Sequence, residues 1–87
     1  MIEVIYARSF IKGFIRPHPD VRDMAEKKEE LFKDNPFHPS LKTHSLSGKM
    51  NSLWSFSVNR KYRIIFSFDS GRKAVGFIEI GTHDLYE

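Results

Sequence analysis

The stretch LWSFSVNRKYRIIFSFDSGRKAVGFIEIGTHDLY, residues 53–86, decides the fold. It holds three runs rich in β-branched and aromatic residues, at 53–58, 62–68 and 74–80, separated by Asn59-Arg60-Lys61 and by Asp69-Ser70-Gly71-Arg72-Lys73. Such residues suit a pleated, half-buried surface, and the polar separators carry turn chemistry. The spacing therefore predicts three consecutive antiparallel strands joined as a meander. Successive strand residues point to opposite faces. Trp54, Phe56 and Val58 share one face of the first strand, and Ser55 and Ser57 the other. In the second, Tyr62, Ile64, Phe66 and Phe68 lie together, opposite Arg63, Ile65 and Ser67. One face is apolar and suits a layer of helices. The other is mixed and is expected to stay open, with Arg63 on it and no evident structural duty for that side chain.

Outward toward the start of the chain, Ile2, Val4 and Tyr6 alternate with Glu3 and Ile5, which predicts a further strand at one side of the meander. From Ala7 the period changes. Phe10, Ile11, Phe14 and Ile15 recur at helical spacing with Arg8, Lys12 and Arg16 between them. Gly13 costs such a helix about 1 kcal/mol relative to alanine, and its place between two phenylalanines suggests close packing on another element. Pro17-His18-Pro19 ends this helix. A second is expected to open on Asp20 as its cap and to carry the apolar stripe Val21, Met24, Ala25, Leu31 and Phe32. Lys27, Glu29, Glu30 and Lys33 read as a solvated face, and Asn35-Pro36 stops the helix.

Residues 37–51 have no periodicity and read as a structured loop carrying His38, Lys42, His44 and Lys49, long enough to suggest a function. The whole is an α+β fold of one domain, residues 1–87: a helical hairpin packed on one face of a four-stranded antiparallel sheet, in the order β-α-α-β-β-β.

Composition narrows the chemistry. Eighty-seven residues support one core, and eight Phe, three Tyr and one Trp stock it. With no cysteine, disulfides, thiolate metal sites and cysteine nucleophiles are excluded. No apolar run approaches the roughly 18 residues of a membrane span, and the start Met-Ile-Glu-Val-Ile lacks a signal pattern, so a soluble cytoplasmic chain is expected. The net charge of +3 is unevenly spread. Residues 1–40 hold seven basic and seven acidic residues, whereas from Leu41 onward seven basic face four acidic. The excess belongs to the sheet half, where it would attract a polyanion.

There is no phosphate-binding glycine loop, His-Glu-x-x-His or nucleophile elbow, and the histidines at 18, 38, 44 and 83 lack short metal-ligand spacing. No cofactor is expected. What remains is His44 in the loop, Arg60 and Lys61 in a hairpin turn, Arg63 on the open face, and His83 with Tyr86 near the end. These residue types can cleave RNA without metal, which requires a base for the 2′-hydroxyl, cations for the phosphorane and an acid for the leaving oxygen. Each also has a plain structural reading: a histidine as a hydrogen-bonded structural group, Tyr86 as a packing aromatic, Trp54 as core. The residues alone leave the function open.

The order of strand, two helices, His-Ser-Leu-Ser-Gly at 44–48, Lys-Tyr-Arg-Ile-Ile-Phe at 61–66 and the ending Ile-Gly-Thr-His-Asp-Leu-Tyr resembles the RelE/ParE toxin superfamily, nearest its YafQ-like and YoeB-like branches. The resemblance covers essentially the whole chain. It implies the toxin of a type II toxin–antitoxin pair that cleaves mRNA on the ribosome without metal. It further implies catalytic roles for His44, Arg63, His83 and Tyr86. The basic charge of the sheet half adds the expectation that Lys42, Lys49, Arg60 and Lys61 bind RNA phosphates. The implied partners are a cognate antitoxin, the ribosome and mRNA, with no membrane, and with DNA contacted only through the toxin–antitoxin complex. Two other outcomes lie within the same superfamily: a ParE-like inhibitor of DNA gyrase, and a catalytically weakened antitoxin-binding member. The chain departs from the YafQ pattern at Ser57, where a histidine is usual, at Lys61, where an acid is usual, and at Glu79, where an arginine is usual.

Overall fold

The computed structural model describes residues 1–46, 52–69, 71 and 73–82. Strand β1 (Glu3–Tyr6) leads into helix α1 (Arg8–Phe14) and helix α2 (Pro19–Asp34). A 3₁₀ turn (Pro39–Leu41) follows, and then strands β2 (His44–Ser45), β3 (Trp54–Ser57), β4 (Tyr62–Phe68) and β5 (Ala74–Thr82). The sheet order is β1-β5-β4-β3-β2.

The meander forms as its alternation predicts, with β3 antiparallel to β4 and β4 to β5. Two details of the expected four-stranded antiparallel sheet are corrected. The first strand runs parallel to β5, so the sheet is mixed. Residues 37–51 are not all loop, because His44 and Ser45 pair with Ser55 and Trp54 as a fifth strand. Alternation fixes which face a side chain takes but not the direction of a neighbouring strand, which the path of the two helices sets. A two-residue strand is also too short to leave a period.

The core lies between the helices and the apolar face. Phe32 of α2 is fully buried, with its ring centroid 4.9 Å from Phe56, 4.8 Å from Phe66 and 5.4 Å from Phe77. Phe56, Val58, Ile64 and Phe66 are buried as expected, and Trp54 is half-buried against Phe37 and Phe68. A register shift between Ile65 and Phe66, whose partners are Glu79 and Phe77, leaves Ile78 as the extra residue of a bulge in β5. The bulge changes the phase of β5, so that Val75, Phe77 and Ile80 all reach the core. It also frees the Ile78 carbonyl, which accepts from Ser9 Oγ at 2.6 Å and ties α1 to the sheet. Gly13 allows the close approach its position suggests, for a Cβ there would lie 3.5 Å from the Ile80 carbonyl oxygen.

Helix α2 differs from its predicted stripe. Its buried line is Ala25 and Phe32, flanked by half-buried Val21 and Lys28, whereas Met24 and Leu31 are exposed. The spacing 21-25-28-32 follows one helix face more closely than the apolar residues do. The cap is His18 rather than Asp20: its Nδ1 accepts from the Asp20 backbone N–H at 3.1 Å, with Pro19 in the first helical position. His38 repeats the device before Pro39, accepting from Ser40 N–H at 3.1 Å. Two of the four histidines therefore have structural work. No helix among the described residues is long and apolar enough to cross a membrane.

Candidate active site

The β3–β4 hairpin is shaped by Asn59. Its Oδ1 accepts from the backbone N–H of Lys61 at 2.8 Å and of Tyr62 at 2.7 Å, closing an Asx turn. That turn presents the Asn59 carbonyl to Arg63. Arg63 Nη1 donates to it at 2.8 Å, to Ser57 Oγ at 3.2 Å and to the Tyr62 carbonyl at 3.3 Å. Arg63 thus has a structural duty that its sequence position did not reveal: it braces the hairpin, with Ser57 directly across the sheet.

The braced guanidinium lines a cavity of about 320 Å³ with Lys28, Lys42, Arg60, Ser40 and Asn59. Among the described residues four cations and no carboxylate line it, so it is suited to an anion. Lys28 reaches it from the buried line of α2, and its Nζ donates to the Ser40 carbonyl at 3.4 Å. Sequence reading passed over Lys28 as one charge in a Lys/Glu-rich helix, although the 21-25-28-32 spacing marks it. A larger hollow of about 520 Å³ between α1 and the end of β5 brings Lys12, Arg16, Tyr62 and Glu79 together. Among the described residues, neither Arg63 nor a histidine lines it.

His44 lies on the same sheet face as Arg63, because His44 pairs with Ser55 on β3, and Ser57, two residues on, pairs with Arg63. Two strand spacings of about 4.8 Å and one two-residue step of about 6.8 Å put their Cα atoms roughly 12 Å apart. His44 Nδ1 is 3.0 Å from the Lys42 carbonyl oxygen. A carbonyl only accepts, so Nδ1 carries the hydrogen and Nε2 of the neutral ring keeps its lone pair. This is the reverse of His18 and His38, whose Nδ1 atoms accept from backbone N–H groups. Lys42 directs its carbonyl from the left-handed region, at φ 52°, among the described residues the one non-glycine with positive φ.

The same face continues along one row, His44, Ser55, Ile65 and Glu79. It is not uniformly open as expected, since Ser55 and Ile65 are buried. Glu79 is roughly 14 Å from His44 by three strand spacings. Of the predicted RNA-binding residues, Lys42 and Arg60 reach the basic cavity, while Lys61 is exposed in the adjoining turn and does not line it. Lys49, His83 and Tyr86 lie outside the described residues.

A family model described as a RelE-like toxin of the type II toxin–antitoxin system HigB matches residues 8–79. No curated protein matches the sequence. Among solved structures, the YoeB/ParE toxin from Agrobacterium tumefaciens is similar at a TM-score of 0.78 and 16% identity, covering 94% of this chain and 99% of that one. YafQ from Escherichia coli gives 0.77 and 17%, covering 97% and 96%. The archaeal RelE–RelB complex from Pyrococcus horikoshii gives 0.76 and 13%, covering 97% of each chain. At these identities the likeness to solved structures establishes a shared fold.

Proposed function

Because the chain belongs to the HigB-like family of RelE-like toxins of type II toxin–antitoxin systems, we propose that it is a ribosome-dependent endoribonuclease that cleaves mRNA in the cytoplasm without a metal. The observation that carries this reading is the braced Arg63 in a cavity lined by Lys28, Lys42 and Arg60, on the same sheet face as a histidine with its Nε2 lone pair free. The cations hold the scissile and neighbouring phosphates. His44 Nε2 takes the proton of the 2′-hydroxyl, whose oxygen attacks phosphorus. Arg63 stabilises the charge that builds on the phosphorane oxygens. The bond from phosphorus to the 5′-oxygen breaks, the leaving oxygen takes a proton, and the products are a 2′,3′-cyclic phosphate and a 5′-hydroxyl.

His83 is assigned the proton for the leaving oxygen, Tyr86 a contact to the substrate, and Lys49 and Lys61 contacts to outlying phosphates. Glu79, acidic where the YafQ branch carries arginine, leaves Arg63 as the principal charge at phosphorus. A cognate antitoxin restrains the toxin, as RelB accompanies RelE in the archaeal complex, and DNA is contacted only through that pair.

The test is induction of the wild type and of a His44→Ala, Arg63→Ala double variant in translating cells, followed by mapping of mRNA 5′ ends. New 5′-hydroxyl ends with the wild type alone are expected. Growth arrest by the double variant equal to the wild type, with no new ends in either, would replace this reading with that of a non-nuclease toxin.

A further inference from the structure

Strand β5 outruns its neighbour. Its pairing with β1 ends where Phe77 meets Tyr6, so from Ile78 to Thr82 its outer edge has no strand against it among the described residues. Helix α1 passes along that edge instead, tied to it where Ser9 Oγ donates to the Ile78 carbonyl. Gly13 adds no side chain to the gap, where a Cβ would already touch the Ile80 carbonyl oxygen. Between helix and edge remains the hollow of about 520 Å³, a volume that holds a small ligand.

Its walls carry chemical groups that the fold does not use. Lys12, on the last turn of α1, and Arg16, just past that helix, are exposed cations, while Tyr62 and Glu79 are half-buried. Among the described residues, none of these four side chains makes a hydrogen bond or an ion pair. The opposite charges line one hollow yet stand too far apart to pair. That separation suits a ligand with an anion at one end, N–H donors at the other and a flat ring between them.

A nucleotide has this plan, with a phosphate for the cations and a base for the face of Tyr62. The carboxylate selects among bases, because it only accepts hydrogen bonds. The Watson–Crick edge of guanine offers two adjacent donors, N1–H and N2–H, one for each carboxylate oxygen. Adenine and cytosine offer one donor beside a ring nitrogen that accepts, and uracil one donor between two carbonyl oxygens. Each of these sets a lone pair against the carboxylate.

We infer that the hollow binds a guanosine 5′-phosphate, with Glu79 reading the base, Tyr62 stacking on it, and Lys12 and Arg16 holding the phosphate. The site is apart from the basic cavity, since Tyr62 and Arg63 are successive residues of β4 and point to opposite faces of the sheet. The same chemistry is presented by a free nucleotide and by a guanosine within an RNA strand. Neither needs a ribosome or a cleavage step, so the site is tested independently of the nuclease reading.

The experiment titrates the isotope-labelled full chain with guanosine 5′-monophosphate and adenosine 5′-monophosphate, reading affinity by calorimetry and location by amide chemical shifts. The guanosine nucleotide should bind at least about tenfold more tightly, the worth of one bidentate pair, and should shift the amides of Gly13 and Gly81. Glu79→Gln should turn the preference to adenosine without changing the circular dichroism, because a carboxamide both accepts from N6–H and donates to N1 of adenine. Lys12→Ser with Arg16→Ser should weaken both nucleotides alike. An RNA pentamer with one central guanosine among uridines will shift the same amides if the occupant is a guanosine in RNA, and will leave them in place if it is a free nucleotide. Equal affinity for the two nucleotides, a preference unmoved by Glu79→Gln, or shifts confined to Asn59 and Arg60 beside the basic cavity would overturn the inference. So would failure of both nucleotides to bind at millimolar concentration. Guanosine binding in a chain that cleaves no mRNA would retire the nuclease and keep the site.

Discussion

Replacing Arg63 by alanine puts the chemical and structural roles of one side chain into competition, and their sizes can be compared. Nη1 has three acceptors within 3.3 Å but only two hydrogens, so at least about two hydrogen bonds are lost. A hydrogen bond from a charged donor is worth roughly 1.5–3 kcal/mol net, so the fold loses about 3–6 kcal/mol. A domain of this length at about 0.05–0.15 kcal/mol per residue has some 4–13 kcal/mol in hand. At the lower end of that range the loss is as large as the whole stability, so the folded fraction of each variant is read from its own unfolding curve. Loss of a positioned donor to a developing oxyanion costs about 10²–10³ in rate, or roughly 2.7–4 kcal/mol. Cleavage is therefore compared per folded molecule. The assay is single-turnover cleavage of mRNA on programmed ribosomes by wild type, Arg63→Ala and Arg63→Lys, with denaturant unfolding of each in parallel. Arg63→Ala is expected to fall at least 100-fold, and Arg63→Lys to lie between, because lysine keeps the charge but not the planar fork that spans hairpin and phosphate. Cleavage by folded Arg63→Ala within a few-fold of wild type would refute the assignment.

Four further variants have outcomes that follow from particular contacts. Burial, and then the hydrogen bond to Glu29, push the Tyr6 hydroxyl up from 10.0 to about 12. Its proton is held more tightly in the folded chain, so this contribution is complete below pH 10.0 and is lost as pH rises toward about 12; Tyr6→Phe should flatten the alkaline decline in melting temperature. Phe32→Ala opens a void among Phe56, Phe66 and Phe77 and should cost about 3–5 kcal/mol, read as a lower denaturant midpoint. Lys42→Gly relieves about 1–2 kcal/mol at a left-handed residue while loosening the unfolded chain by about 0.4–1, so unfolding should stay unchanged or become harder by up to about 1.5 kcal/mol. In the same variant the slope of log RNA affinity against log salt should flatten by roughly 0.7, one phosphate on a single strand. Ser55 Oγ is buried with no hydrogen-bond partner among the described residues, so Ser55→Ala should leave stability unchanged or raise it by up to about 1 kcal/mol in chemical unfolding.

The sequence by itself determined the three-strand meander, the two helices and the aromatic core, because periodicity and turn chemistry are local. Alternation put Phe56, Ile64 and Phe66 inward and Arg63 on the opposite face, and the structure keeps that division. It also put His44 and Arg63 among the candidates, and the pairing of β2 and β4 across β3 sets both on one face. Tertiary structure decided what depends on how separate elements meet. The parallel edge strand follows from the route of the helices, and the bulge at Ile78 from seating Phe77 and Ile80 in one core. Lys28 became part of the basic cavity only when α2 was docked, and the histidines before Pro19 and Pro39 separated from His44 only when their hydrogen-bond partners were in place. A pattern along a chain records which face a residue takes, whereas the neighbour it meets there is fixed by packing in three dimensions.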